Sequence, residues 1–267
     1  MDVSAGGHAE HGPAVELEVA VPALNEERRL PACLDELEHR LAALPLSAAV
    51  VVVDNGSTDG TAATVLRRPT GPVPVRLVSC AVPGKGAAVR AGVLSSDARW
   101  VGFTDADLAT SLDCLPALVD ALRGGADVVV GSRRLDLSRL LVQQQTVRRL
   151  GGWVFRHAAS RVVPTVRDTQ CGFKFFTADA GRRLFEPLAM TGWSFDIELL
   201  ARAERQHLAV REIPVEWTND PDSRFRAFAD GARTFADLVR IRRLLEAEAA
   251  AQRPSAAVRG RRVADVP

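Results

Sequence analysis

The chain contains no tyrosine, and of its 34 lysines and arginines only Lys85 and Lys174 are lysine. In a sequence this rich in alanine and arginine, that reads as composition bias. A lysine then marks a place where arginine does not serve, because a compact ammonium and a planar fork are not interchangeable at a tight phosphate site. Cysteine is also scarce. Cys33, Cys80, Cys114 and Cys171 are scattered without a CxxC pair, which argues for a reducing compartment and against structural zinc. The five histidines show no ligand spacing. No stretch approaches the ~18 uninterrupted apolar residues of a membrane span, and the opening "MDVSAGGHAEHGPAVE" lacks the apolar centre of a signal peptide. The expectation is a cytoplasmic protein, soluble or at most peripheral at the inner face of the membrane. A net charge of +1 leaves no global positive field for nucleic acid, so no nucleic-acid partner is expected.

What is present is ordinary globular composition. The chain has 267 residues, 47% hydrophobic and 25% charged, enough for one large α/β domain with a good core. Residues 1–14 read as a disordered lead, 15–250 as the folded domain and 251–267 as a disordered tail. Strand candidates are 16–24, the all-apolar 48–54, 73–80, "WVGFTD" and 126–133. Helical patterns separate them, with Leu30, Leu34, Leu37, Leu41 and Leu44 spaced three or four apart in the first. "DTQCGFKFF" (168–176) reads as a loop entering a strand, "SFDIELLARAERQ" as a helix and "LAVREIPVEWT" as one strand. Residues 230–250 read as an amphipathic C-terminal helical extension. Strands alternating with helices predict a Rossmann-like, mostly parallel sheet flanked by helices. In such sheets ligands sit beyond the carboxyl ends of the strands.

The polar motifs fall at those ends: "NEE" after the first strand, "DNGSTDGT" after the second, "PGKG" after the third, "DAD" after the fourth and "GSRR" after the fifth. Asp54 with Asn55-Gly56 fits a sharp turn whose carboxylate can accept from a base or ribose donor. "PGKG" opens a helix, where glycines permit close backbone approach and the helix terminus favours anions; alone it equally fits an ordinary loop with an exposed lysine. Asp105 and Asp107 end an apolar run. Two carboxylates that close repel unless something positive lies between them. A hard cation, magnesium or manganese, would take them together with phosphate oxygens; the bland alternative is a capped loop. Asp196 and Glu198 fit a solvated helix face as well as a site, and Trp153 and Trp193 read as core aromatics.

Together, "VAVPALNEE", "VVVDNGSTDGT", "GKGAAVRAG", "FTDADLAT", "VVVGSR", "DTQCGFKFF" and "WSFDIELL" resemble the inverting family 2 glycosyltransferases with the GT-A fold. They are most similar to the polyprenyl-phosphate sugar transferases, on the dolichyl-phosphate glucosyltransferase branch. The resemblance covers about residues 18–245. It implies that Pro22, Ala23, Asn25 and Glu26 line the nucleotide sugar, that Asp54 reads the base, and that Lys85 lies near donor phosphate or sugar. It implies a metal at Asp105 and Asp107, with Ala106 between them beside the donor. Arg133 and one of Arg148 or Arg149 would meet the acceptor phosphate, and Asp168, Gln170 and Lys174 would close the site near Asp196 and Glu198. Ala109 departs from relatives whose glutamine there can add a ligand.

The reaction so implied transfers a hexose, from UDP-glucose first and GDP-mannose second, to a polyprenyl phosphate with inversion. Asp107 and Arg133 would serve the leaving and accepting phosphates. The runner-up is a soluble family 2 transferase acting on a hydroxyl of a small molecule, glycan or protein. That reaction needs a general base, for which Asp196 or Glu198 is the candidate. A nucleotidyltransferase and a non-catalytic nucleotide-sugar binding protein are the other classes.

Overall fold

The run "AAVVVVD" becomes strand β2 (Ala48–Asp54), buried from Ala49 to Val53. Val50 and Val52 enter one apolar cluster, Val51 and Val53 the other, as a period of two on a sheet covered on both faces requires. A computed structural model describes residues 15–135, 138–140, 157–218 and 229–251, with backbone alone for 139–140 and 229–235.

Around β2 the sheet grows in parallel. β1 (Leu17–Ala23) pairs with it from Leu17 opposite Ala48 to Ala23 opposite Asp54. β3 (Val75–Ser79) joins its other side, and β4 (Trp100–Thr104) joins β1. β5 (Val128–Ser132) and β8 (Val210–Pro214) pair in parallel further along. The short strands β6 (Arg139–Leu140) and β9 (Glu216–Trp217) form a separate pair. The seven-stranded order is β3-β2-β1-β4-β7-β5-β8, with β7 (Phe173–Thr177) antiparallel to both neighbours.

Two helical layers cover the faces. α1 (Leu30–Ala42) opens with proline in its first turn, where a missing N–H costs nothing. It buries Leu30, Leu34, Leu37 and Leu41 in the first cluster, beside Leu115, Leu118 and Leu122 of α4 (Leu115–Arg123). A 3-10 turn, Leu112–Cys114, precedes α4, with Ser111 Oγ accepting from the Asp113 N–H. α3 (Lys85–Leu94), α5 (Ala178–Phe185), α6 (Phe195–Arg205) and α7 (Ala229–Ala251) pack on the opposite face through Val89, Leu184, Phe195 and Ile241. The short α2 (Thr61–Leu66) follows β2.

The structure differs from the sequence expectation in three places. β7 inserts antiparallel between β4 and β5; a short apolar run carries no direction in its composition, and here the chain must turn back to fill the gap. "LAVREIPVEWT" forms two strands in two sheets: the ladder with β5 ends at Ser132 opposite Pro214, with the Val215 N–H donating to the Ser132 carbonyl at 3.2 Å, and Glu216–Trp217 then pair with Arg139–Leu140 instead. The helix α5 had no counterpart in the sequence reading. The expected lead and the tail beyond Ala251 lie outside the described residues. All four cysteines are free thiols, and no helix among the described residues is long and apolar enough to cross a membrane.

Candidate active site

β1 to β5 all point their carboxyl ends to one edge of the sheet. Since β7 runs the other way, the loop that feeds it reaches that edge too. Residues 24–26, 54–60, 80–85, 105–110, 133 and 168–172 therefore converge. The first two loops brace each other. Asn25, at φ 53, donates its backbone N–H to Ser57 Oγ at 2.9 Å, and its Oδ1 accepts from the Thr58 N–H at 2.7 Å. The Glu26 N–H reaches Thr61 Oγ1 at 2.7 Å, while its carboxylate holds Arg29. Asp54, half-buried, accepts the Ser57 N–H at 3.0 Å. Asn55 ties the β2 loop to the next one: its amide donates to the Val82 carbonyl at 2.7 Å and accepts from the Gly84 N–H at 2.8 Å. Pro22 is half-buried at the end of β1; Ala23 and Ala106 are core residues of one cluster behind the edge.

Both lysines form carboxylate pairs here. Lys85 Nζ lies 2.6 Å from Asp105 Oδ1, and Lys174 Nζ lies 2.6 Å from Asp196 Oδ1. Lys174 is fully buried and also donates to the Cys171 carbonyl at 2.6 Å. Burial pulls the Lys85 ammonium down, but Asp105, Asp196 and Asp107 outweigh it and hold it above its ordinary value. Burial pushes the Asp196 carboxyl up against the pull of Lys174 and Lys85. The solvated-face reading of Asp196 and Glu198 is thus overturned, since both are buried. Glu198 accepts the backbone N–H groups of Ala189 at 3.0 Å and Met190 at 2.7 Å, and pairs with Arg202 at 2.8 Å. Its oxygens are committed to protein donors.

Asp107 Oδ1 accepts the Ala109 N–H at 3.0 Å across Leu108, which sits at φ 48. A left-handed leucine is uncommon, and such strain gathers at functional loops. Cys33 of α1 lies close enough below that burial, then Asp107, Asp105 and Glu26, push its thiol up to about 12. Opposite, a Cβ on Gly172 would lie 2.0 Å from Asp105 Oδ2, so only glycine lets the carboxylate approach this backbone. Among the described residues no cluster of three His, Cys, Asp or Glu side chains forms a ready metal site. Two hard carboxylates at one strand end still fit magnesium or manganese, with substrate phosphate and water completing the shell.

Arg133 follows β5. Its Nε and Nη2 donate to Asp168 Oδ2 and Oδ1 at 2.7 and 2.8 Å, and its backbone N–H to Oδ2 at 3.0 Å. Burial would lower the guanidinium; the bonds and charge of Asp168 hold it above its usual value. Burial would likewise raise Asp168, but Arg133 holds its carboxyl down at about 2. The guanidinium carbon stands 5.3 Å from the centre of the Trp217 ring. Arg133 is therefore oriented by Asp168 and Trp217. Gln170 lies half-buried in the turn before Cys171. Arg148 and Arg149, like Trp153, lie outside the described residues.

Three residues at the edge carried no site reading in the sequence. Trp193 is not core: it is 40% exposed, with Lys85 Nζ 5.2 Å from its ring centre. Trp217 and Gly172 act through partners distant in sequence; no local pattern marks Trp217, and Gly172 sits inside "DTQCGFKFF" without a role of its own in the reading of that motif.

Residues 18–176 match the family model described as glycosyl transferase family 2. The dolichyl-phosphate beta-glucosyltransferase of Drosophila melanogaster is 37% identical over 253 residues, covering 87% of this chain and 76% of that protein. The human protein of the same description is 34% identical, covering 86% and 76%. Among solved structures, glucosyl-3-phosphoglycerate synthase from Mycobacterium tuberculosis in complex with UDP superposes with a TM-score of 0.62 at 22% identity, covering 85% of this chain and 80% of that one. The same synthase has been solved with Mn2+, UDP-glucose and phosphoglyceric acid. That likeness establishes the GT-A fold.

Proposed function

The chain belongs to glycosyl transferase family 2, and we propose that it moves glucose from UDP-glucose to a polyprenyl phosphate with inversion, assisted by magnesium or manganese. One observation carries the choice of acceptor. A hydroxyl acceptor needs a general base, but the two candidates are engaged: Glu198 with Ala189, Met190 and Arg202, Asp196 with Lys174. A phosphate acceptor is already ionised and needs no base. The relatives described as dolichyl-phosphate beta-glucosyltransferases support the same acceptor class and sugar. Leu24, Val82 and Trp193 leave apolar surface exposed on the segments flanking the crevice, which suits an isoprenoid chain.

In this reaction a phosphate oxygen of the acceptor attacks the anomeric carbon from the face opposite the diphosphate. The new C–O bond forms as the bond to the UDP oxygen breaks, and the electron pair leaves with UDP. Asp105 and Asp107 would hold the divalent ion, which when bound neutralises charge on the leaving diphosphate. Lys85 would pass from Asp105 to a donor oxygen, supplying a compact positive charge there. Arg133, aimed by Asp168, would present its remaining edge to the acceptor phosphate. Catalysis is then positioning and charge stabilisation.

The test follows UDP release and glycolipid formation from UDP-glucose, with and without polyprenyl phosphate and divalent ion. Asp107→Asn should lower turnover by roughly 10²–10³, the range for losing one preorganised charge-stabilising group, with the fold retained. Full activity of this variant, or of the wild type in excess chelator, overturns the metal assignment. Transfer to a neutral hydroxyl with polyprenyl phosphate ignored overturns the acceptor.

A further inference from the structure

We propose that α7 positions the wall of the crevice that carries Lys85 and Trp193, with Asp237 and Glu248 as its positioning residues. The helix docks by burying Leu238, Ile241 and Leu245. Two polar contacts then fix where it lies. Asp237 Oδ2 accepts from Ser194 Oγ at 2.6 Å, and Ser194 is buried next to Trp193 in the chain. Glu248 takes a fork from Arg202, at 2.8 Å to Nη1 and 2.9 Å to Nη2. At ~1.5 Å per residue the two contacts lie about 16 Å apart along α7 and about 12 Å apart along α6 and its N-cap.

Each contact leads to the same place. From Ser194 the next residue back is Trp193, whose ring faces Lys85 Nζ at 5.2 Å. From Arg202, Nε donates to Glu198 at 2.9 Å, and Glu198 holds the N–H groups of Ala189 and Met190. The adjoining Thr191 carbonyl accepts the Ala87 N–H at 3.2 Å. A Cβ on Gly84 would stand 2.2 Å from that oxygen, and Gly84 has φ +121. The loop bearing Lys85 is thus pressed against a segment that Glu198 secures and α7 secures in turn. A buried ionic relay of this kind is weak support for stability, since its desolvation offsets much of its attraction. Its consequence is register: Lys85 meets Asp105 only when the 189–194 segment is in place.

The proposal rests on the transferase reading only in giving Lys85 a donor to meet, and the test keeps the two apart. Asp237→Ala and Ser194→Ala cut the first contact from either side, and Glu248→Gln weakens the second. Hydrogen exchange of the full chain is measured first, without ligand. Protection should fall roughly tenfold, the worth of one good hydrogen bond, at residues 85–88 and 189–191 as well as in α7. Loss confined to α7, or spread evenly over the chain, overturns the proposal. Ser194→Ala removes a single hydroxyl and keeps the test decisive if Asp237→Ala unfolds. UDP-glucose affinity is then compared in wild-type and Trp193→Ala backgrounds. Asp237→Ala should weaken binding in the first and change little in the second; additive effects overturn the relay. Failure of the wild type to bind UDP-glucose sinks the transferase reading, while the exchange result still decides the relay.

Discussion

The two lysines of an arginine-rich chain both end in carboxylate pairs at the same edge, Lys85 with Asp105 and Lys174 with Asp196. At 2.6 Å a compact ammonium fills each gap, and a guanidinium would have to displace what surrounds it. Lys85→Arg should therefore lower turnover at least tenfold although the charge is kept; an unchanged rate and donor affinity would return Lys85 to the role of a loop residue. The lysines and the two strand-end aspartates were legible in the sequence because rarity and position mark them. The partners of Arg133 were less so. Asp168 could be placed near the site only by resemblance, and its grip on Arg133 joins residues 35 apart in the chain, which no local pattern reports. Trp217 gave no sign, and Trp193 reads as core though it is 40% exposed, since an isolated tryptophan reads the same in a core and at a rim.

Elements were legible where period and composition agreed. β2 occupies the 48–54 run, and Leu30, Leu34, Leu37 and Leu41 of α1 fall where their spacing puts them, while Leu44, read as part of the same helix, lies past its end at Ala42 and packs partly buried against the same cluster. Pairing was not legible, because direction is set by what a strand finds beside it. β7 shows the consequence. With Phe173 and Phe175 facing one cluster and Phe176 the other, its buried residues are apolar on both faces except for Lys174, which reaches Asp196 on α6. Lys174→Met should leave buried Asp196 without its hydrogen-bonded cation, with only the more distant pull of Lys85 remaining, and cost about 3–5 kcal/mol in urea denaturation at neutral pH. Adding Asp196→Leu should recover most of that stability while turnover stays low. Recovery of both would remove the pair from the chemistry; recovery of neither would mean the pair is not the source of the loss.

For the whole molecule, acid should reveal how much of its stability rests on the edge. The Asp168 carboxyl lies at about 2 in the folded chain, below the ~3.9 of an unfolded aspartate. A depressed folded value means the Arg133 pair stabilises above pH ~4 and is lost as pH falls from about 4 to about 2, a contribution on the order of 2 kcal/mol at neutral pH. Melting temperature against pH should fall more steeply across that window in the wild type than in Asp168→Asn. Parallel curves would mean that Arg133 and Asp168 are not paired in solution.

The antiparallel seam also bears on how the chain is made. A growing chain completes β1 to β4 long before residues 173–177 exist, and Trp100, Val101 and Phe103 lie on a strand whose outer edge has no neighbour until they do. At ~5–20 residues per second that edge stays open for some seconds, a template for the wrong partner. A nascent chain halted at Asp168 should therefore sediment as aggregate or be held by chaperones, whereas one halted after Thr218 should already protect its β4 amides. Soluble, protected β4 in the shorter chain would show that the first half closes without its seam.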